Sequence, residues 1–223
     1  MMSLAFGISS KVIMNEKEYL LDLDFSTVLK MFEMFQDDDL NEGYKFAGVL
    51  MGVGNLSEDE INELTDDEKI SLYSLISEKI SASSTRQTEL ERDLAGNVLT
   101  TVNKQVYSLV EDASYIFASF YKDYKIDLID MQGSLHWDKF NALLISLSDN
   151  TKFKKIIEIR QMEETKEMSS EQKEELRKAK KAYALKSNQA ELEFSGMDIK
   201  QKREWYKKIK RREVRYKWEM MAM

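Results

Sequence analysis

Hydrophobic positions recur along this chain with two periods, and the changes of period mark its elements. In residues 11–23, KVIMNEKEYLLDL, Val12 and Ile13 precede a polar Asn15-Glu16-Lys17 turn. Tyr19, Leu21 and Leu23 then alternate with Leu20 and Asp22, which predicts a short β-hairpin. From Phe25 the period lengthens. Phe25, Leu29, Phe32 and Phe35 or Gln36 share one face of a predicted helix, closed by Asp37-Asp38-Asp39. A second helix is predicted over 42–51, stopped by Gly52 and Gly54. Gly48 and Gly52 carry GxxxG spacing without a long apolar segment around them, so they read as close packing or a helix end. Ser57 with Glu60, and Thr65 with Glu68, have the spacing of capping boxes. The second box opens a helix with Ile70, Tyr73, Ile76 and Ile80 on one side.

Residues 81–102 are polar, include Gly96-Asn97, and read as a linker or long loop. The helical period returns at Tyr107, with Val110, Ala113, Phe117, Phe120 and Tyr124 in one stripe. Trp137, Phe140, Leu144 and Leu147 follow at i, i+3, i+7 and i+10, an amphipathic helix with Asp138 in its first turn. Ser148-Asp149-Asn150-Thr151 interrupts it. Phe153, Ile156, Ile157 and Arg160 then begin a second helix, so 137–160 reads as a helical hairpin. Residues 168–186 form another helix, capped by Ser169 and Gln172, with Leu176, Ala179 and Tyr183 inward. A last helix is predicted over 198–221, with Trp205, Ile209, Arg212 and Tyr216 in one stripe and Trp218 beside it.

The expected fold is therefore mainly α: a compact helical domain with a short N-terminal β-hairpin and a long basic C-terminal helix. Its segments are 1–82 (hairpin plus helices), 83–104 (linker or long loop), 105–188 (helical core segment) and 189–223 (basic C-terminal helix). Charge sharpens that division. Residues 166–223 hold 17 Lys+Arg against 10 Asp+Glu, whereas residues 1–165 hold 16 against 30. An acidic body thus carries a basic tail. The chain has no proline to break long helices and no cysteine, so thiolate chemistry and disulfides are excluded. No apolar run reaches the ~20 residues of a membrane span. The N-terminus lacks the pattern of a secretory signal, and the expected location is cytoplasmic.

Candidate chemistry is sparse. A single histidine, His136, stands beside Trp137 and Asp138. It reads as a packing residue at a helix start, because no partner set for catalysis accompanies it. The acidic clusters at 57–68 lack the central glycine and DxDxDG pattern of a calcium loop, so capping explains them. No catalytic, cofactor or metal residue is assigned. In the tail, residues 198–223 hold ten Lys+Arg against four Asp+Glu, interleaved with Trp205, Tyr206, Tyr216 and Trp218. Nucleic-acid binding through that helix is the alternative function; a solvated helix docking on the acidic body of its own or another subunit is preferred.

One stretch carries a further signal. Asp112, Ile116 and Phe120 are followed by Tyr124, Ile126, Asp127 and Leu128. Leu135, His136, Trp137, Phe140, Leu143 and Leu144 come next, then Phe153, Ile156, Ile157 and Arg160. This pattern resembles a family of tailed-bacteriophage proteins encoded beside the tape-measure gene, the tail assembly chaperones. The resemblance covers about residues 18–186 and departs at Asp138, where the family pattern has a second aromatic. It implies a non-enzymatic assembly factor of the infected host cytoplasm, absent from the finished virion. Such a factor binds the tape-measure protein and recruits tail-tube subunits; homo-oligomerisation is left open. The structural signature would be Asp112, Phe120, Asp127, His136, Trp137, Phe140, Leu144, Phe153, Ile157 and Arg160. The expected partner-binding residues are Trp205, Ile209, Arg212, Tyr216 and Trp218.

Overall fold

The structure, a computed structural model, describes residue 5 and residues 7–83 and 106–186. The expected linker falls almost wholly outside the described residues, and the expected C-terminal helix falls wholly outside them. The chain divides into two compact units, residues 1–155 and 156–223.

The first unit opens with an antiparallel hairpin, β1 (Lys11–Met14) and β2 (Lys17–Leu20), in which Lys11 faces Leu20 and Met14 faces Lys17. The turn is two residues long, not three. Asn15 and Glu16 both have positive φ, 50° and 63°, as the primed turns that suit strand twist require. Lys17 is thereby drawn into the ladder. Val12, Met14 and Tyr19 point inward, while Ile13 and Leu20 lie on the outer face. The Asn15 side chain donates to Glu68 at 3.2 Å, which ties the turn to a helix start.

The helices of this unit are α1 (Phe25–Gln36), α2 (Glu42–Met51), α3 (Glu58–Glu63), α4 (Asp66–Ser83), α5 (Ala113–Tyr124) and α6 (Trp137–Ile145). They are followed by α7 (Lys152–Gln161) and α8 (Ser170–Ala182). The fold is mainly α with a short hairpin, as the periodicity predicts. Three capping boxes form as their spacing predicts, at Ser57/Glu60, Thr65/Glu68 and Ser169/Gln172. In the first two, the N-cap backbone N–H and hydroxyl hold the glutamate below the usual carboxylate range.

Several helices bury a face other than the expected one. In α1, Phe25 and Val28 are buried, while Phe35 reaches the surface. In α4 the inward set is Leu72, Ile76 and Ile80; Ile70 is 58% exposed. Before and along α5 the inward line is Asp112, Ile116 and Phe120, and Ala113 faces out. Each of these segments carries apolar residues on more than one line, so the packing partner chooses between them. Along α6 and just beyond it, Trp137, Phe140, Leu144 and Leu147 are all buried as expected, while Ile145 on another line is exposed.

The centre of the first unit is a set of rings around Phe140. Phe25, Phe120 and Trp137 lie nearly parallel to it at centroid distances of 5.1, 5.3 and 5.6 Å. Phe32 tilts onto Trp137 at 5.9 Å. The Trp137 indole N–H donates to the Ile80 carbonyl at 3.2 Å, which satisfies its polar edge inside the core. Tyr124 tilts onto Phe120 and donates its hydroxyl to the Leu143 carbonyl at 2.9 Å. Within the second unit, Arg160 Nε donates to the Tyr183 carbonyl at 2.6 Å, and Arg177 forms a two-pronged pair with Glu164.

Two outcomes follow for stability. Trp137→Ala removes a fully buried ring together with its indole hydrogen bond to the Ile80 carbonyl, and should cost about 3–5 kcal/mol in denaturant unfolding. Glu16→Gly relieves a left-handed non-glycine residue in the turn and should raise the midpoint by the equivalent of ~0.5–1 kcal/mol. A neutral Trp137→Ala would contradict the assignment of this core.

Candidate functional site

The signature residues fall into the core and its supports. Phe120, Trp137, Phe140, Leu144 and Phe153 are buried, and Ile157 and Arg160 are half-buried. Asp112 is buried and accepts from the Ser108 backbone N–H at 3.0 Å, holding the turn that enters α5. Asp127 accepts from the Ile129 N–H at 2.9 Å and so shapes the loop before α6.

His136 is the N-cap of α6. Its Nδ1 accepts from the Asp138 backbone N–H at 3.0 Å, the task usually given to Ser, Asp or Asn. Nδ1 can accept only if it carries no proton, so the neutral ring holds its hydrogen on Nε2. That nitrogen then donates to the Ser10 hydroxyl at 3.1 Å. Burial pushes the ring's pKa below the usual histidine value, the nearby Asp138 charge opposing in part. Both ring nitrogens are therefore committed to structure. The backbone is committed too: His136 pairs with Asp24, the N-cap of α1, in an isolated antiparallel bridge.

The expected partner-binding residues Trp205, Ile209, Arg212, Tyr216 and Trp218 lie outside the described residues. A different surface stands out within the first unit, on α1 and α2. Tyr44, Gly48 and Met51 line one side of α2 at i, i+4 and i+7; Tyr44 is 69% and Met51 50% exposed. Gly48 has no side chain, and a Cβ there would collide with the sulfur of Met34. The Met34 thioether from α1 therefore packs against α2 at Gly48, the position between Tyr44 and Met51 on that side of the helix. Met31, one turn earlier, is half-buried, and Phe35 is 36% exposed. Together they form an apolar strip rich in methionine and aromatic rings.

The strip is bordered by carboxylates. Glu33 precedes Met34, Asp37, Asp38 and Asp39 follow the end of α1, and Glu42 opens α2; all are exposed. From residue 30 to residue 68 the chain carries twelve Asp+Glu and two lysines. One of the two, Lys45, is buried. Its ammonium donates to the Phe35 carbonyl at 3.3 Å and pairs with Glu42 at 3.4 Å. It neutralises the negative end of the α1 dipole and offers little positive charge outward. The signal for this strip was present in the spacing of Tyr44, Gly48 and Met51. It was hidden because Phe35 read as part of the inward face of α1.

Among the described residues, no group of three or more His, Asp or Glu side chains is placed to hold a metal ion. Nor is any described helix long and apolar enough to cross a membrane. The arrangement offers a surface for binding.

The capping role of His136 has a pH signature. A histidine whose pKa is lowered by folding favours the native state above its ordinary value of 6.5, and that contribution is lost as pH falls below it. His136→Ala should cost about 1 kcal/mol at pH 7.5 through loss of the cap. His136→Asn keeps an acceptor but does not titrate. Its melting temperature should therefore fall less than that of the wild type between pH 7 and pH 5; parallel pH profiles would contradict the assigned ring state.

Residues 8–185 match the family model described as Bacteriophage Gp15 protein. No curated protein and no solved structure matches the chain. The match spans both described segments and most of the length, so the chain belongs to the Bacteriophage Gp15 protein family.

Proposed function

We propose that this protein is a non-catalytic tail assembly chaperone that binds the tape-measure protein while the phage tail is built. The observation that carries the proposal is the α1–α2 strip of exposed Tyr44 and Met51 beside half-buried Met34 on a phage protein. Long helical proteins with apolar stripes aggregate when unpartnered, and a helix laid into an apolar groove is the economical way to cover them. Methionine suits that task because its flexible, polarisable side chain adapts to differing partner surfaces. Modest individual contacts keep the complex reversible, so that tail-tube subunits can displace the chaperone. The commitment of both His136 nitrogens to structural hydrogen bonds, one to the cap and one to Ser10, supports a non-enzymatic role. The site of action is the infected cell's cytoplasm, and the protein leaves before the virion is complete.

Co-expression with fragments of the tape-measure protein of the same phage tests the proposal. A complex with micromolar Kd is expected. Tyr44→Lys with Met51→Lys should weaken it at least tenfold and leave the melting temperature within a few degrees, since both side chains are exposed. Absence of any complex at tens of micromolar would overturn the proposal.

A further inference from the structure

We infer that the α1–α2 strip takes a basic amphipathic helix, its apolar side on Met34, Tyr44 and Met51 and its lysines and arginines toward the flanking carboxylates. The inference rests on the binding role proposed above and specifies which part of a partner the strip selects.

Geometry sets the shape of the occupant. Tyr44 to Met51 spans about two helical turns, roughly 10 Å along α2. The Met34 side chain, lying over Gly48, makes the strip a shallow seam between two adjacent helices. A seam of this kind seats one rod with apolar residues at i, i+3 or i+4, and i+7.

Charge sets its chemistry. Glu33, Asp37, Asp38, Asp39 and Glu42 border the strip and are exposed. The adjoining α3 adds Glu58, Asp59, Glu60 and Glu63. Lys45 is turned inward onto the Phe35 carbonyl and Glu42, which leaves Lys30, one turn before Met34, as the exposed lysine of this stretch. Such a field repels phosphate, and so disfavours nucleic acid and anionic lipid alike. It attracts a helix whose polar side is positive. Acidic helices with the same apolar stripe are rejected by like charge, which gives selection beyond the non-directional apolar contact.

The test uses the full-length chain and two labelled peptides of about 20 residues. Both carry Leu and Trp at i, i+3, i+4 and i+7; one has Lys and Arg at the remaining positions, and its twin has Glu. Fluorescence anisotropy should give micromolar binding of the basic peptide and at least tenfold weaker binding of the twin. Raising salt from about 50 to 500 mM should weaken the basic complex several-fold, because the flanking charges are exposed and screened. Tyr44→Lys with Met51→Lys should abolish binding. Replacing Asp37, Asp38 and Asp39 with Asn should weaken it several-fold without lowering the melting temperature.

Equal binding of the two peptides, or binding of neither, overturns the inference. The chain's own residues 198–223 are also basic and aromatic. If the basic peptide binds only after Lys207, Lys208, Arg211 and Arg212 are changed to Glu, that segment is the occupant and the assignment to a partner helix falls. Capture of a tape-measure fragment by a protein that ignores the basic peptide would leave the chaperone function standing and remove this inference alone.

Discussion

The first unit depends on one short piece of backbone pairing. Leu23, Asp24 and Phe25 run antiparallel to Leu135, His136 and Trp137. The Phe25 N–H donates to the Leu135 carbonyl at 2.9 Å, and the Trp137 N–H donates to the Leu23 carbonyl at 2.7 Å. The paired residues, Asp24 and His136, are the N-caps of α1 and α6. Two helices distant in sequence thus start from a single bridge. Asp24 serves both: one oxygen accepts from the Ser26 N–H, and the other accepts from the Leu135 N–H at 3.1 Å. Orphan donors at a helix start need partners, and here one carboxylate and one imidazole supply them while fixing the chain crossing.

The aromatic core follows from that anchor. Phe25 and Trp137 are the first residues of α1 and α6, so the bridge places their rings together, and Phe140 stacks against both. Phe120 from α5 packs on Phe140, and Ile80 from α4 receives the indole N–H. With the start of α1 committed inward, its later turns diverge from the core. Phe32 still touches Trp137, but Met34 leans on α2 and Phe35 lies at the surface. The strip that carries the proposed function is the far end of a helix whose near end is held by the bridge.

Particular residues show how much could be read in advance. The capping boxes at Ser57, Thr65 and Ser169 were legible because each closes within four residues. The boundaries of α2 were legible from the Gly52 and Gly54 stop. The inward line of α6 was legible because both aromatic residues of the helix, Trp137 and Phe140, lie on it. The inward faces of α1, α4 and α5 were not, since Val28, Leu72 and Ile116 each compete with apolar neighbours on another line. The motif at Asp112, Ile116 and Phe120 does mark the α5 line, and that line is buried. His136 was legible as a helix-start residue, but its cap and its Ser10 partner were not.

The sequence by itself determined the helical content of the described segments, the hairpin, the capping boxes, the acidic and basic division of the chain and the phage family pattern. These are local in spacing or composition, so near neighbours settle them. Only the tertiary structure decided that residues 24 and 136 pair and which apolar lines turn inward. It also left Met34, Tyr44 and Met51 as an uncovered strip. Each of these is a competition among surfaces that are equally apolar in one dimension, resolved by contacts between separate elements, from Met34 on Gly48 to Asp24 on His136.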